Sequence, residues 1–190
     1  MSSSDLDTAR ETLLAELRAH ALVIGEVTLA SGQTAGYYVD AKRALLRPAG
    51  FRATGALLAA AARELEATAV GGMTMGADPL ACAAISAPEG DGLVAFFVRK
   101  ERKEHGLERW IEGPVLDAGT RCLVVEDVVT TGGSTVRAIE RMRTQGLEVA
   151  GAVCVLDRLA GGAQAIEDAA EAPFRALTTI DDVYPDRPDR

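Results

Sequence analysis

The chain is poor in cysteine, in aromatic side chains and in positive charge, and each shortage removes a class of function. Its three cysteines, at 82, 122 and 154, are odd in number, widely spaced and set among small or apolar neighbours. They read as reduced, buried thiols of a reducing compartment, not as staples of a secreted fold. None lies near a histidine in sequence, which weighs against a catalytic cysteine. Aromatics make up 4% of the residues, and 28 acids against 20 bases leave a net charge of −8. Long nucleic-acid tracts call for the opposite balance, because lysines and arginines must displace the counterions of the phosphate chain. No apolar run approaches the ~20 residues of a bilayer span. The opening Met-Ser-Ser-Ser-Asp has neither the basic flank nor the apolar stretch of a secretion signal. A cytoplasmic protein without nucleic-acid or membrane partners is expected.

What is present is the composition of an ordinary globular protein, 48% hydrophobic and 25% charged. A chain of 190 residues fits a single domain, 1–190, and needs no metal or disulfide to complete its core. Leu6, Leu13, Leu14, Leu17 and Ala21 fall near one face of an expected helix over 5–21. Thr8 with Glu11 has the spacing of a capping box. Short strands at 23–29 and 37–40 flank the turn-rich 31–36 and are expected to form a small hairpin outside the main sheet. Pro48 suits a helix start, and an Ala/Leu-rich run continues through 51–65.

From there strand, loop and helix alternate. Strands are expected at 68–70, 93–98, 121–125, 149–156 and 174–178, with helices at 79–86, from the Gly132–Gly133 turn to about 145, and at 163–170. Continuous apolar strands alternating with helices predict an α/β fold whose parallel-sheet core is covered on both faces. Right-handed crossovers then gather the loops at one sheet edge, where ligands bind. The closing 184–190, rich in Pro, Asp and Arg, is expected to fray.

Residues 123–135, Leu-Val-Val-Glu-Asp-Val-Val-Thr-Thr-Gly-Gly-Ser-Thr, are the richest stretch. An apolar strand ends in two acids, and hydroxyl and glycine residues then open a helix. Glycines admit an anion close to backbone N–H groups, and a helix N-terminus adds favourable partial charge. Glu126 and Asp127 are placed to accept from sugar hydroxyls or to hold a metal through water. An ordinary capped turn beside two solvated acids is the competing explanation, and this ordered combination disfavours it. Residues 71–76 have the glycine spacing of a P-loop, but Ala77-Asp78 stand where Lys-Ser/Thr is required. No Gly-x-Gly-x-x-Gly follows the first strand of the sheet, so a dinucleotide fold has no support.

The run 123–135 resembles the phosphoribosyl-pyrophosphate (PRPP) motif of the type I phosphoribosyltransferases. The resemblance implies that fold, with an N-terminal hood at about 22–42. It implies that Glu126 and Asp127 hold the ribose hydroxyls, while Val128, Val129, Thr130, Thr131, Gly132, Gly133 and Ser134 wrap the 5′-phosphate. Residues 71–76 resemble the family's pyrophosphate loop. The segment 99–106, Arg-Lys-Glu-Arg-Lys-Glu-His-Gly, read alone, fits a solvated helix with weak ion pairs. With Ile111-Glu112-Gly113 downstream it is similar to the mobile catalytic loop, about 99–110, of the orotate phosphoribosyltransferases. That similarity implies that Arg99, Lys100, Lys103 and His105 meet the pyrophosphate, partly in a neighbouring subunit's site.

Two further stretches resemble orotate-family segments: Leu29-Ala30-Ser31-Gly32 with Tyr37-Tyr38-Val39-Asp40, and Val155-Leu156-Asp157-Arg158. The first corresponds to the hood over the base. In the second Arg158, together with Thr130, is expected to meet orotate, since a guanidinium pairs well with a carboxylate or an imide edge. Where the family often has lysines, this chain has Ala30 and Met75, and Lys42 or Arg43 are the nearby substitutes. The reaction so implied joins orotate to the ribose of PRPP in a homodimer with shared sites. Lys103, His105 and Asp127 are the catalytic residues, and Mg²⁺ is held mainly by substrate oxygens, with no protein ligand assigned. The alternatives are a purine phosphoribosyltransferase and a non-catalytic PRPP-sensing regulator of the same fold.

Overall fold

The computed structural model describes residues 2–28, 34–101 and 110–189. The N-terminal amphipathic pattern forms helix α1, Ser3–Glu16, continued by one π-helical turn at Leu17–Ala21. Its capping box lies earlier than the sequence spacing indicated: Ser2 caps the helix and Asp5 reaches back to it. Thr8 is already inside the helix, where its hydroxyl donates to the Ser4 carbonyl.

Strands β1 (Leu22–Thr28) and β2 (Thr34–Val39) pair antiparallel as a separate two-stranded sheet. A short helix α2, Lys42–Leu45, precedes α3, Pro48–Glu64, which starts on its proline. Six more strands build the main sheet: β3 (Ala69–Met73), β4 (Val94–Val98), β5 (Ile111–Glu112), β6 (Arg121–Val129), β7 (Glu148–Asp157) and β8 (Phe174–Thr179). Helices α4 (Asp78–Ser86), α5 (Gly133–Thr144), α6 (Gly162–Ala170) and α7 (Ile180–Val183) complete the fold.

The order across the sheet is β5-β4-β3-β6-β7-β8. All pairs are parallel except β4–β5. This antiparallel edge strand was not foreseen, because two residues carry too little periodicity to read. β3 also runs further than expected: Gly71, Gly72 and Met73 pair in register with Phe96, Phe97 and Val98 of β4. Only residues 74–77 are therefore left for the loop.

Side-chain alternation divides the interior into two layers. Val70, Leu123, Val125, Val153 and Val155 pack with Leu13, Leu17, Leu58 and Leu80 of the helices on one face. Ala69, Cys122, Val124, Ala152 and Cys154 pack with Ile139, Met142 and Ile166 on the other. Burial pushes the Cys122 thiol up to about 12 and raises that of Cys154 as well, so neither is a nucleophile. Cys82 departs from the expectation: it is exposed on α4.

The C-terminal tail is docked, contrary to the frayed end expected. Tyr184 packs edge-on against Tyr37 of β2, with ring centroids 5.3 Å apart. The Tyr37 hydroxyl donates to Asp189 at 3.0 Å, and Arg187 pairs with Asp181 and Asp189. Charge and proline content suggested solvation, but the charges are matched to one another and to the β1–β2 hairpin. Among the described residues no helix is long and apolar enough to cross a membrane.

Leu58 is fully buried on α3, away from the ligand edge of the sheet, and Ile24 is 68% exposed. Leu58→Ala is expected to lower unfolding free energy by about 2–5 kcal/mol. Ile24→Ala should change it by less than about 0.5 kcal/mol. Chemical denaturation of both variants checks the contrast.

Candidate active site

The register of the sheet gathers the candidate residues at one edge. Val129 of β6 lies opposite Asp157 of β7, and Met73 of β3 opposite Val98 of β4. The segments that follow these strands therefore emerge side by side, the usual place for ligands in parallel sheets.

β6 extends through Val129, four residues beyond the apolar run, so Glu126 and Asp127 are strand residues and both are buried. Their backbone sites alternate in the strand, yet both carboxyls reach the same space: a Cβ on Gly76 would lie 2.5 Å from Asp127 and 3.0 Å from Glu126. Glu126 accepts a hydrogen bond from Thr135 of α5 at 3.2 Å. Asp127 meets the Lys42 ammonium of α2 at 3.1 Å, and that ammonium also lies 3.2 Å from Asp40. Burial works against the charge on Lys42, but the charges and hydrogen bonds of Asp127 and Asp40 outweigh it and raise its pKa. Burial, and then the neighbouring Asp127, push the Glu126 carboxyl up to about 8.

After Val129 the chain turns at Gly132, whose φ of +78° suits glycine. α5 then begins without any side-chain cap. A cavity of about 230 Å³ opens on this turn, lined by Glu126, Val128, Val129, residues 130–135 and Arg137. First-turn N–H groups, three threonines and a serine surround it with donors, as an anion requires. Arg137 was not singled out in the sequence. It stands one helical turn beyond Ser134 and approaches its hydroxyl at 3.5 Å, and that i,i+3 spacing was the available signal.

A second cavity of about 240 Å³ adjoins the first, sharing Glu126, Val128 and Ser134, and adds Lys42, Thr74, Met75, Gly76, Lys100 and Asp127. The 74–77 loop comes so close that a Cβ on Gly76 would lie 2.5 Å from the Asp127 carboxylate. Met75, where the family often has lysine, is 71% exposed. Lys42 brings a cation to this cavity instead. A larger cavity of about 460 Å³ lies between α1, α3 and β8, lined by Leu6, Leu57 and Leu177 with the Arg175–Glu64 ion pair at its rim. Its lining has no hydroxyl side chain and its Glu64 is already paired with Arg175, so chemistry and not size locates the site.

Not every candidate residue converges on these cavities. Arg99 pairs with Glu112 of β5 at 3.1 Å and lines neither. Arg158 lines neither, although it stands just beyond β7 with its N–H donating to the Val129 carbonyl. Its guanidinium donates to the Tyr37 hydroxyl at 3.2 Å and lies over that ring, at 5.3 Å from the centroid. Lys103 and His105, like Ala30, lie outside the described residues.

The raised pKa of Glu126 has a thermodynamic signature. Between the ordinary 4.5 and about 8 the folded protein keeps a proton that the unfolded chain has lost. This contribution is therefore present below that window and is lost as pH rises through it. Urea unfolding of the ligand-free protein should show stability falling with pH across this range. Glu126→Gln should flatten that slope; an unchanged slope would mean Glu126 is not the buried acid responsible.

The family described as Phosphoribosyl transferase domain matches residues 45–172. The orotate phosphoribosyltransferase of Corynebacterium glutamicum (strain R) is 45% identical over 185 residues, covering 96% of this chain and 98% of its own. That of Streptomyces avermitilis is 45% identical over 172 residues, 90% of this chain and 94% of its own. Among solved structures, Mycobacterium tuberculosis H37Rv orotate phosphoribosyltransferase in complex with 5-phospho-alpha-D-ribosyl 1-diphosphate superposes with a TM-score of 0.78 at 36% identity. The match covers 92% of this chain and 98% of that one. With the donor-lined turn, the paired acids and this near-complete correspondence in hand, the chain belongs to the phosphoribosyl transferase domain family, among the orotate phosphoribosyltransferases.

Proposed function

We propose that this protein transfers the phosphoribosyl group of PRPP to orotate, giving orotidine 5′-phosphate and diphosphate. The observation that carries the reading is the pair of adjoining cavities. One is a donor-rich turn sized for a phosphate, the other a cation-bearing space beside the two acids. In this assignment the turn at 130–135 and Arg137 take the 5′-phosphate, while Glu126 and Asp127 take the ribose hydroxyls. Lys42, Lys100 and the 74–77 loop take the diphosphate. Arg158 and Thr130, at the sheet edge facing the β1–β2 hairpin, recognise the base.

The bond between ribose C1 and the diphosphate oxygen breaks, and a bond from C1 to a ring nitrogen of orotate forms as that nitrogen releases its proton. Positive charge grows on the ribose and negative charge on the departing diphosphate. The site's work is positioning and electrostatics: carboxylate near the ring, ammonium groups near the leaving group. Lys103 and His105 are assigned to the same leaving group from the 99–106 pattern.

Mg²⁺ fits this donor set only as a passenger of the substrate. Among the described residues no three His, Cys, Asp or Glu side chains come together, and two adjacent carboxylates supply too few oxygens for an octahedral cage. When bound, the ion would neutralise diphosphate charge, with Asp127 acting on its water shell. The cytoplasm and a homodimer complete the proposal.

Purified protein given PRPP and Mg²⁺ is expected to consume orotate and to leave adenine and hypoxanthine untouched. Turnover of a purine base without turnover of orotate would establish the purine reading in its place. Tight PRPP binding without any turnover would favour a sensor. The shared-site arrangement predicts that Lys103→Ala and Arg158→Ala, each inactive, regain roughly a quarter of wild-type activity when mixed and allowed to exchange subunits. Activity no greater than that of the separate variants would assign both residues to one subunit's site.

A further inference from the structure

One guanidinium joins two segments that border the diphosphate cavity, at Met73 and Lys100, to Trp110. Arg141 lies two turns into α5, the helix whose first turn forms the phosphate cradle. Its Nη1 donates to the carbonyl of Arg99 at 2.5 Å, and its Nη2 to the carbonyl of Lys100 at 2.9 Å. Nη1 also lies 3.4 Å from the sulfur of Met73, the last residue of β3 before the 74–77 loop. Its Cζ stands 4.1 Å from the centre of the Trp110 ring. The Arg99 N–H donates to the Trp110 carbonyl at 2.9 Å, so residues 99–100 and 110 run side by side beneath the arginine.

This set of contacts exceeds what fastening a surface helix requires. A planar guanidinium can donate in two directions within its plane while its face rests on an indole, and a lysine ammonium cannot do both. Of the residues it holds, Met73 and Lys100 both line the diphosphate cavity, and Lys100 brings it a cation beside Lys42 and Asp127. A long, rotamer-rich lysine gains electrostatic effect when its backbone is fixed, because less freedom is lost on binding.

We propose that Arg141 is a positioning residue for phosphoribosyl transfer: it pins the carbonyls of Arg99 and Lys100 against Trp110 and thereby aims Lys100 at the leaving diphosphate. The inference rests on the reading of that cavity as the diphosphate site. It separates two functions of α5, whose first turn binds the 5′-phosphate while its third turn sets the geometry of the leaving-group cation.

Trp110 is the only tryptophan of the chain, so its emission reports on this contact directly. The test titrates inorganic diphosphate with Mg²⁺, and separately ribose 5-phosphate, into wild-type, Arg141→Ala and Arg141→Lys proteins, with acrylamide quenching of Trp110 in each. Arg141→Ala is expected to weaken diphosphate binding about tenfold, the scale of one lost charge-assisted contact. Ribose 5-phosphate affinity should stay within about twofold of wild type, and Trp110 should become easier to quench. Arg141→Lys should remain impaired severalfold, and it decides the matter alone if the alanine variant does not fold. Wild-type diphosphate affinity in either variant overturns the proposal, as does equal loss of both ligands. If the wild-type protein binds ribose 5-phosphate but no diphosphate, the assignment of the cavity itself falls, and this inference with it.

Discussion

Glu126 and Asp127 stand next to each other inside a parallel sheet, where two carboxylates repel and both lose hydration. Their neighbourhood is arranged to make that placement tolerable. Thr135 donates to one acid, the Lys42 ammonium meets the other, and a glycine at 76 lets the 74–77 loop approach without collision. Glu126 additionally keeps its proton into the neutral range.

The residues that line the two cavities with the acids come from widely separated parts of the chain. Lys42 belongs to α2, Thr135 and Arg137 to α5, and Lys100 follows β4. What makes them neighbours is the strand order β4-β3-β6-β7 with every pair parallel. Parallel pairing sends the carboxyl end of each strand to the same edge, so each loop reaches the site without a long excursion. The β1–β2 hairpin and the docked tail add a second wall, tied through Tyr37 to both Arg158 and Asp189.

Much of this was legible in the residues. The apolar runs around 123 and 153 showed buried strands because parallel sheets are covered on both faces. The Thr-Thr-Gly-Gly-Ser sequence showed a donor-rich turn at a helix start because glycine and hydroxyl chemistry there is local. Where the reading fell short, the deciding interaction was not local. The continuation of β6 through two acids comes from pairing with β7, and a carboxylate in a strand goes against ordinary propensity. Gly71 and Gly72 looked like loop residues until β4 claimed them. The tail looked solvated because its anchor, the Tyr37 hydroxyl that donates to Asp189, lies about 150 residues away in sequence.

The sequence by itself determined the alternation of strands and helices apart from β5, and the glycine turn beside the acid pair, since periodicity and turn chemistry act over a few neighbouring residues. Only the tertiary structure decided which cations stand beside the acids and the neighbouring strand ends. Lys42 reaches Asp127 across 85 positions, and Arg141 reaches Arg99 across 42. A charged side chain carries no mark of its partner in its own neighbourhood. Its role is set by the geometry of the sheet edge on which the chain places it.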